Sequence, residues 1–220
     1  MQPFETIARA STPDGNELTL VRRADEWVVR VGGSTLMSSR QHDSEEALAS
    51  EALKAVPAPR RVLVGGLGLG FTLRAVLDQV AATTRVTVAE LIPELVAWNR
   101  THLAGLHGAA LDDPRCEALA GDVLHLLEAR PAQFDALLLD VDNGPVALTQ
   151  ADNRQLYATR GVRACRDALS PGGVLAVWSA GPSAEYERRL RVAGFAAESR
   201  RVAARRGGGA QHVIILGRRS

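Results

Sequence analysis

From Phe4 to Ser38 apolar and polar residues alternate around turn signals: ELTLVRR, a polar break at Ala24-Asp25-Glu26, then WVVRVGG. A period of two means strands with one buried face, so this stretch predicts a small antiparallel hairpin or meander. Ser44, followed by Glu45, Glu46 and ALASEAL, predicts a short helix with Ser44 as its cap and Pro57 and Pro59 beyond its end.

From Arg60 the period changes. RVLVGG reads as a buried strand, FTLRAVLDQV as a helix, RVTVAE as a second strand, and PELVAWNRTHL as a helix opened by Pro93. RCEALAGD gives a third short strand and DVLHLLEA a helix, while FDALLLDVD is the most continuous apolar run, as in the middle of a parallel sheet. A helix around LYATRGVRACRDAL is expected next, then Pro171-Gly172-Gly173 turning into the strand VLAVWSA. After the helix SAEYERRLRVAGF come strands near AESRRVAAR and QHVIILG, joined by a turn at Gly207-Gly208-Gly209 and therefore antiparallel. The predicted fold is α/β, a mostly parallel Rossmann-type sheet closed by a C-terminal antiparallel hairpin, as in class I methyltransferases. The expected boundaries are residues 1–57 for the N-terminal extension with its short helix and 58–220 for the nucleoside-binding domain.

Composition narrows the class. At 220 residues and 46% apolar residues, the chain can bury one sizeable core. A formal charge of +1 gives no reason to expect nucleic acid or an anionic membrane. Lys54 is the sole lysine, which reads as coding bias toward arginine. Cys116 and Cys165 form no CxxC pair, and MQPFETIARA lacks a signal-peptide layout, so a reduced cytoplasmic setting is expected. The histidines, at 42, 102, 107, 125 and 212, are scattered and suggest no metal site.

The sharpest chemical signal is VLVGGLGLGFT, where Gly66, Gly68 and Gly70 lie between a strand and a helix and let a ligand approach the backbone. Phe71 stands where GxGxxG needs its last glycine, which favours a nucleoside without a phosphate and disfavours a nicotinamide dehydrogenase. Glu90 ends the second strand, where a carboxylate accepts hydrogen bonds from ribose hydroxyls. Asp122 could take the adenine amino group, cap the next helix, or both. Asp140 and Asp142 end the fourth strand, at the carboxyl edge where open α/β sheets bind ligands, and could hold an amine or take its proton. Asp142 also suits the turn Asp-Asn-Gly-Pro. Trp178 is a candidate for the floor of the site or for the core.

These residues carry a family resemblance. VLVGGLGLGFTLRAV resembles the first motif of spermidine synthases, LLLDVDNGP their Asp-rich turn, and LYATRGVRACRDALSPGG the helix and strand that follow. LMSSRQHDSEEALASEAL resembles their N-terminal approach to the site, with Gln41 and Glu51 as equivalents. The resemblance implies a sulfonium nucleoside, bound by Gly66, Gly68, Gly70, Glu90, Asp122 and Asp140, with Asp140 and Asp142 catalytic. Gln41, Tyr157 and Trp178 would then contact the acceptor, a small molecule and conceivably an amine, in a chain that could form a homodimer. The chain departs from the family at Ala49-Ser50, where an aromatic and a polar residue precede the glutamate, and at Leu69, where the glycine loop carries an acid. Those departures tilt the expectation to methyl transfer from S-adenosylmethionine. Aminopropyl transfer from decarboxylated S-adenosylmethionine to a diamine is the alternative, and a non-catalytic nucleoside-binding module the third reading.

Overall fold

The computed structural model describes residues 3–141, 144–145, 153–204 and 210–220. Four antiparallel strands come first: β1 (Glu5–Ser11), β2 (Glu17–Arg23), β3 (Glu26–Val31) and β4 (Ser34–Ser38), paired in that order. The sequence-predicted meander is therefore a complete small sheet. Helix α1 (Asp43–Ala55) follows, with His42 and not Ser44 at its cap position and no side-chain capping bond.

The rest alternates: β5 (Arg61–Gly65), α2 (Phe71–Gln79), β6 (Arg85–Glu90), α3 (Pro93–Arg100), β7 (Cys116–Ala120), α4 (Val123–Ala129) and β8 (Phe134–Leu139). Then come α5 (Asn153–Tyr157), α6 (Thr159–Ala168), β9 (Leu169–Ser179), α7 (Ala184–Val192), β10 (Phe195–Ala203) and β11 (Gln211–Arg219). These seven strands form one sheet in the order β10-β11-β9-β8-β5-β6-β7. The neighbours from β9 to β7 are parallel, whereas β11 runs antiparallel to both β9 and β10. The terminal hairpin is thus as expected, although Gly207-Gly208-Gly209 lies outside the described residues. The single helix expected around LYATRGVRACRDAL is two, broken at the extended Ala158, which precedes α6.

Central parallel strands are covered on both faces, so their side chains are apolar on both. Leu63, Leu137, Leu139 and Leu175 pack with Leu127, Val162, Cys165 and Leu190 of the helices on one side. Val62, Val64, Val86 and Leu138 pack on the other side with Leu73 and Leu77 of α2 and with Leu48, Ala49 and Ala52 of α1. Helix α1 is consequently part of the layer over the large sheet. A third cluster joins Leu18, Leu20 and Val29 of the small sheet to Leu69, Ile92, Leu95 and Trp98, seating that sheet over α3 and the glycine loop.

The order reverses between β5 and β8: the chain leaves β5 toward β6 and β7 on one side, and leaves β8 toward β9 on the other. Open α/β sheets bind ligands at the carboxyl ends of the strands flanking such a switch.

Candidate active site

A cavity of about 380 Å³ opens at that switch point. Its floor is built from the strand ends: Gly66 to Leu69 after β5, Glu90 of β6, Gly121 and Asp122 after β7, Asp140 and Val141 after β8, and Trp178 of β9. Its roof is Thr35 to Ser38 of the small sheet, and the first turn of α1 adds Ser44 and Glu45.

The glycine loop is packed too tightly for side chains at two points. Gly66 has φ +90°, and a Cβ there would lie 2.2 Å from the Asp140 carbonyl oxygen. Gly70, the N-cap of α2 at φ +87°, would place a Cβ 2.5 Å from Cδ2 of His107. Gly68 lies below the roof, its carbonyl accepting a 2.9 Å bond from Asn99 Nδ2. Phe71 stacks on the His42 ring at 4.0 Å between centroids, so it joins α1 to the loop.

Glu90 is buried, and both its oxygens are engaged: Oε2 accepts from the Leu67 N–H at 3.0 Å and Oε1 from the Ile92 N–H at 2.9 Å. Burial pushes its carboxyl up, while these and other backbone N–H groups oppose that shift. Glu90 therefore clamps the glycine loop to β6 as well as facing the cavity. Glu90→Ala should weaken adenosyl-ligand binding, and it should also destabilise the fold, because each orphaned buried N–H costs about 1–3 kcal/mol. Calorimetry and thermal melts on Glu90→Ala and Glu90→Gln separate the two effects. An unaltered melting temperature in Glu90→Ala would refute the clamp.

Asp122 caps α4, its Oδ1 accepting from the Leu124 N–H at 2.8 Å, and it also lines the cavity. Asp140 accepts a 2.6 Å bond from Thr72 Oγ1 through Oδ2, and burial pushes its carboxyl up to about 6. Glu45 was read from the sequence only as a helix-start acid, yet it stands in the cavity wall. Burial first, and the charge of Asp140 second, push it up to about 7. A signal for it was present: Glu45 lies three, four and seven residues before Leu48, Ala49 and Ala52, on the face of α1 that those residues bury.

Gln41 and Trp178 line the cavity, and the Trp178 indole N–H is buried without a partner among the described residues. Tyr157 does not line it. Its ring is buried in the core, and its hydroxyl donates a 2.8 Å bond to the Val141 carbonyl, so its reach is spent supporting the loop after β8 from behind. Glu51 faces Lys54 and Arg200 instead of the cavity. Asp142 lies outside the described residues. His42, Asp43 and Glu46, on the first turn of α1, bring donor atoms within 4.8 Å of one another, but the His42 and Glu46 side chains already pair at 3.1 Å.

The lining carries four carboxylates, from Glu45, Glu90, Asp122 and Asp140, and no lysine or arginine among the described residues. Such a site suits a cationic ligand with a nucleoside's apolar and hydroxylated surfaces. Fold and cavity together define a class I methyltransferase-like α/β protein with an acid-lined cavity at its switch point. The chain belongs to the spermine/spermidine synthase domain family, which matches residues 41–192.

Among curated relatives, polyamine aminopropyltransferase 2 of Pseudomonas aeruginosa is 40% identical over 136 residues, covering 60% of this chain and 37% of its own length. Polyamine aminopropyltransferase 2 of Hyperthermus butylicus is 33% identical over 147 residues, 65% of this chain and 46% of its own. The chain thus spans less than half the length of either relative. Spermidine synthase in complex with the transition-state analogue AdoDATO superposes with a TM-score of 0.80 at 21% identity, covering 98% of this chain and 74% of that one. The Thermotoga maritima spermidine synthase gives a TM-score of 0.78 at 19% identity, covering 98% and 72%. Both superpositions show the same fold, small N-terminal sheet included.

Proposed function

We propose that the protein transfers an aminopropyl group from decarboxylated S-adenosylmethionine to an amine of the polyamine class. The observation that carries this reading is the charge of the cavity lining: four carboxylates and, among the described residues, no lysine or arginine. S-adenosylmethionine brings a carboxylate of its own, which such a lining repels and leaves without a cationic partner. The decarboxylated donor carries a sulfonium and an ammonium and no anion, so it fits. The names of the matched relatives support the same chemistry. Methyl transfer, the reading favoured by Ala49, Ser50 and Leu69, draws no support from the relatives and meets this electrostatic objection.

The donor supplies a carbon already activated by the sulfonium and a neutral thioether as leaving group. What remains for the chain is to bind, align and manage one proton. Glu90 and Asp122, which line the cavity at the β6 and β7 ends, are assigned in this reading to the ribose and the adenine. An amine arrives largely as an ammonium ion, which cannot attack until it loses a proton. Asp140, at the end of β8 and partly neutral near its raised value of about 6, is placed to attract that ammonium and then accept its proton.

The deciding experiment offers the purified protein decarboxylated S-adenosylmethionine or S-adenosylmethionine, each with a panel of diamines. Methylthioadenosine should form from the first pair, and the decarboxylated donor should bind at least about tenfold more tightly, a difference of about 1.4 kcal/mol. Adenosylhomocysteine as the sole product would restore methyl transfer. A protein that binds nucleosides but forms neither product would support the binding module.

A further inference from the structure

We propose that Glu45 is the second carboxylate of the acceptor subsite, clasping the reacting ammonium together with Asp140 and sharing in the removal of its proton. This rests on reading the cavity as an aminopropyl-transfer site.

Three observations place Glu45 there. It lines the same cavity as Asp140, coming from a different element, the first turn of α1. A glutamate three residues after the N-cap commonly folds back to the cap's backbone N–H. Glu45 instead has Oε2 held by a 2.6 Å bond from Ser44 Oγ, as Thr72 Oγ1 holds Oδ2 of Asp140 at 2.6 Å. Each carboxylate is thus fixed through one oxygen by a neighbouring hydroxyl. Neither forms an ion pair with a cation of the chain among the described residues. The family's aromatic residue is replaced on this helix by Ala49, which is buried toward the sheet and cannot reach the site.

The chemistry follows from like charge. Two carboxylates lining one cavity, Glu45 raised by burial and by the charge of Asp140 and Asp140 raised by burial, do not both ionise freely, so the pair retains a proton near neutrality. Asp43 on the same helix adds to that repulsion. Trp178 and His212 border the site from β9 and β11 without a fixed positive charge, since burial lowers the His212 value. Glu90 and Asp122 add negative charge from the β6 and β7 ends. An ammonium ion entering between Glu45 and Asp140 relieves the repulsion and displaces the shared proton to solvent. The ammonium then gives one proton to the pair, and its lone pair attacks the aminopropyl carbon. The C–N bond forms as the C–S bond breaks, and the sulfur keeps the electron pair as a neutral thioether.

The test compares the parent with Glu45→Gln and Glu45→Asp. Glu45→Gln should raise the KM for 1,4-diaminobutane about 10- to 100-fold, the range of a lost charge-assisted contact. Methylthioadenosine affinity should stay within about twofold, since the nucleoside contacts lie elsewhere. The charge of Asp140 helps hold the Glu45 value up at about 7, so the step in amine binding near that pH should vanish in Glu45→Gln, an effect that a packing role would not produce. Glu45→Asp should recover part of the loss. In the parent, calorimetry of 1,4-diaminobutane in two buffers of different ionisation enthalpy at pH 7 should report net proton release. Unchanged KM and pH profile in Glu45→Gln, or amine binding without proton release, would overturn the proposal. Proton-linked amine binding that Glu45→Gln abolishes, in a parent that forms no methylthioadenosine, would refute aminopropyl transfer while upholding the role of Glu45. Absence of amine binding would refute both.

Discussion

Asp140→Asn should leave methylthioadenosine affinity within a few-fold of the parent and lower turnover with the amine by roughly 10²–10⁴, the usual contribution of a positioned acid or base. The exchange keeps the side chain's size and an oxygen able to accept from Thr72 Oγ1, so the loss reports charge and not packing. The parent's pH profile supplies an independent check. Burial raises Asp140 to about 6, so the group accepts a proton readily above that value and is already neutral below it. The kcat/KM for the amine should therefore fall as pH drops through about 6, and that limb should vanish in Asp140→Asn. Equal turnover in parent and variant would remove Asp140 from the mechanism.

Gly66→Ala should severely damage the site. At φ +90° a side chain is strained by about 1–2 kcal/mol even with free space around it. Here the space is taken: the new Cβ would sit 2.2 Å from the carbonyl oxygen of Asp140, so either the glycine loop or the end of β8 must move. That displaces the nucleoside cradle and the candidate base together. Adenosyl-ligand affinity should fall by about 100-fold or more, equivalent to about 2.7 kcal/mol, and the melting temperature should drop. Gly68→Ala provides the contrast. Its Cβ would meet only the flexible Met37 side chain, at 3.3 Å from Sδ, and affinity should fall less. A Gly66→Ala protein that binds as tightly as the parent would mean that the loop does not shape the site.

Much of this was legible before any coordinates. The runs VLV of β5, ALLL of β8 and VLAVW of β9 are apolar throughout because both faces of a central parallel strand are covered, and the glycine loop and strand-end carboxylates lie at the ends of these strands. What escaped was set by tertiary contact. The break at Ala158 interrupts no hydrophobic pattern; it is marked by Gly161, where a Cβ would lie 2.0 Å from the Leu156 carbonyl oxygen. The family resemblance implied Tyr157 as an acceptor contact, but a backbone carbonyl satisfies its hydroxyl inside the core. The grip of Glu90 on the Leu67 and Ile92 N–H groups leaves no trace in residue type, since any residue offers a backbone donor. Glu45 was missed because an acid at a helix start reads first as a solvated, dipole-complementing charge.

The roof of the cavity stands apart from its floor in how it is held. Thr35 to Ser38 belong to a sheet anchored through Leu18, Leu20 and Val29 onto α3 and Leu69 of the glycine loop, while the rest of the floor is backed by the two clusters flanking the large sheet. A ligand filling the cavity would therefore bridge the small sheet and the strand ends of the large one. Its binding energy is then also the energy of keeping them aligned. The family match begins at residue 41, just past the roof, although the solved spermidine synthases superpose on 98% of the chain. The roof thus shares its shape with those structures beyond the reach of the family match, so the enclosure is built in the same way above the matched region as within it.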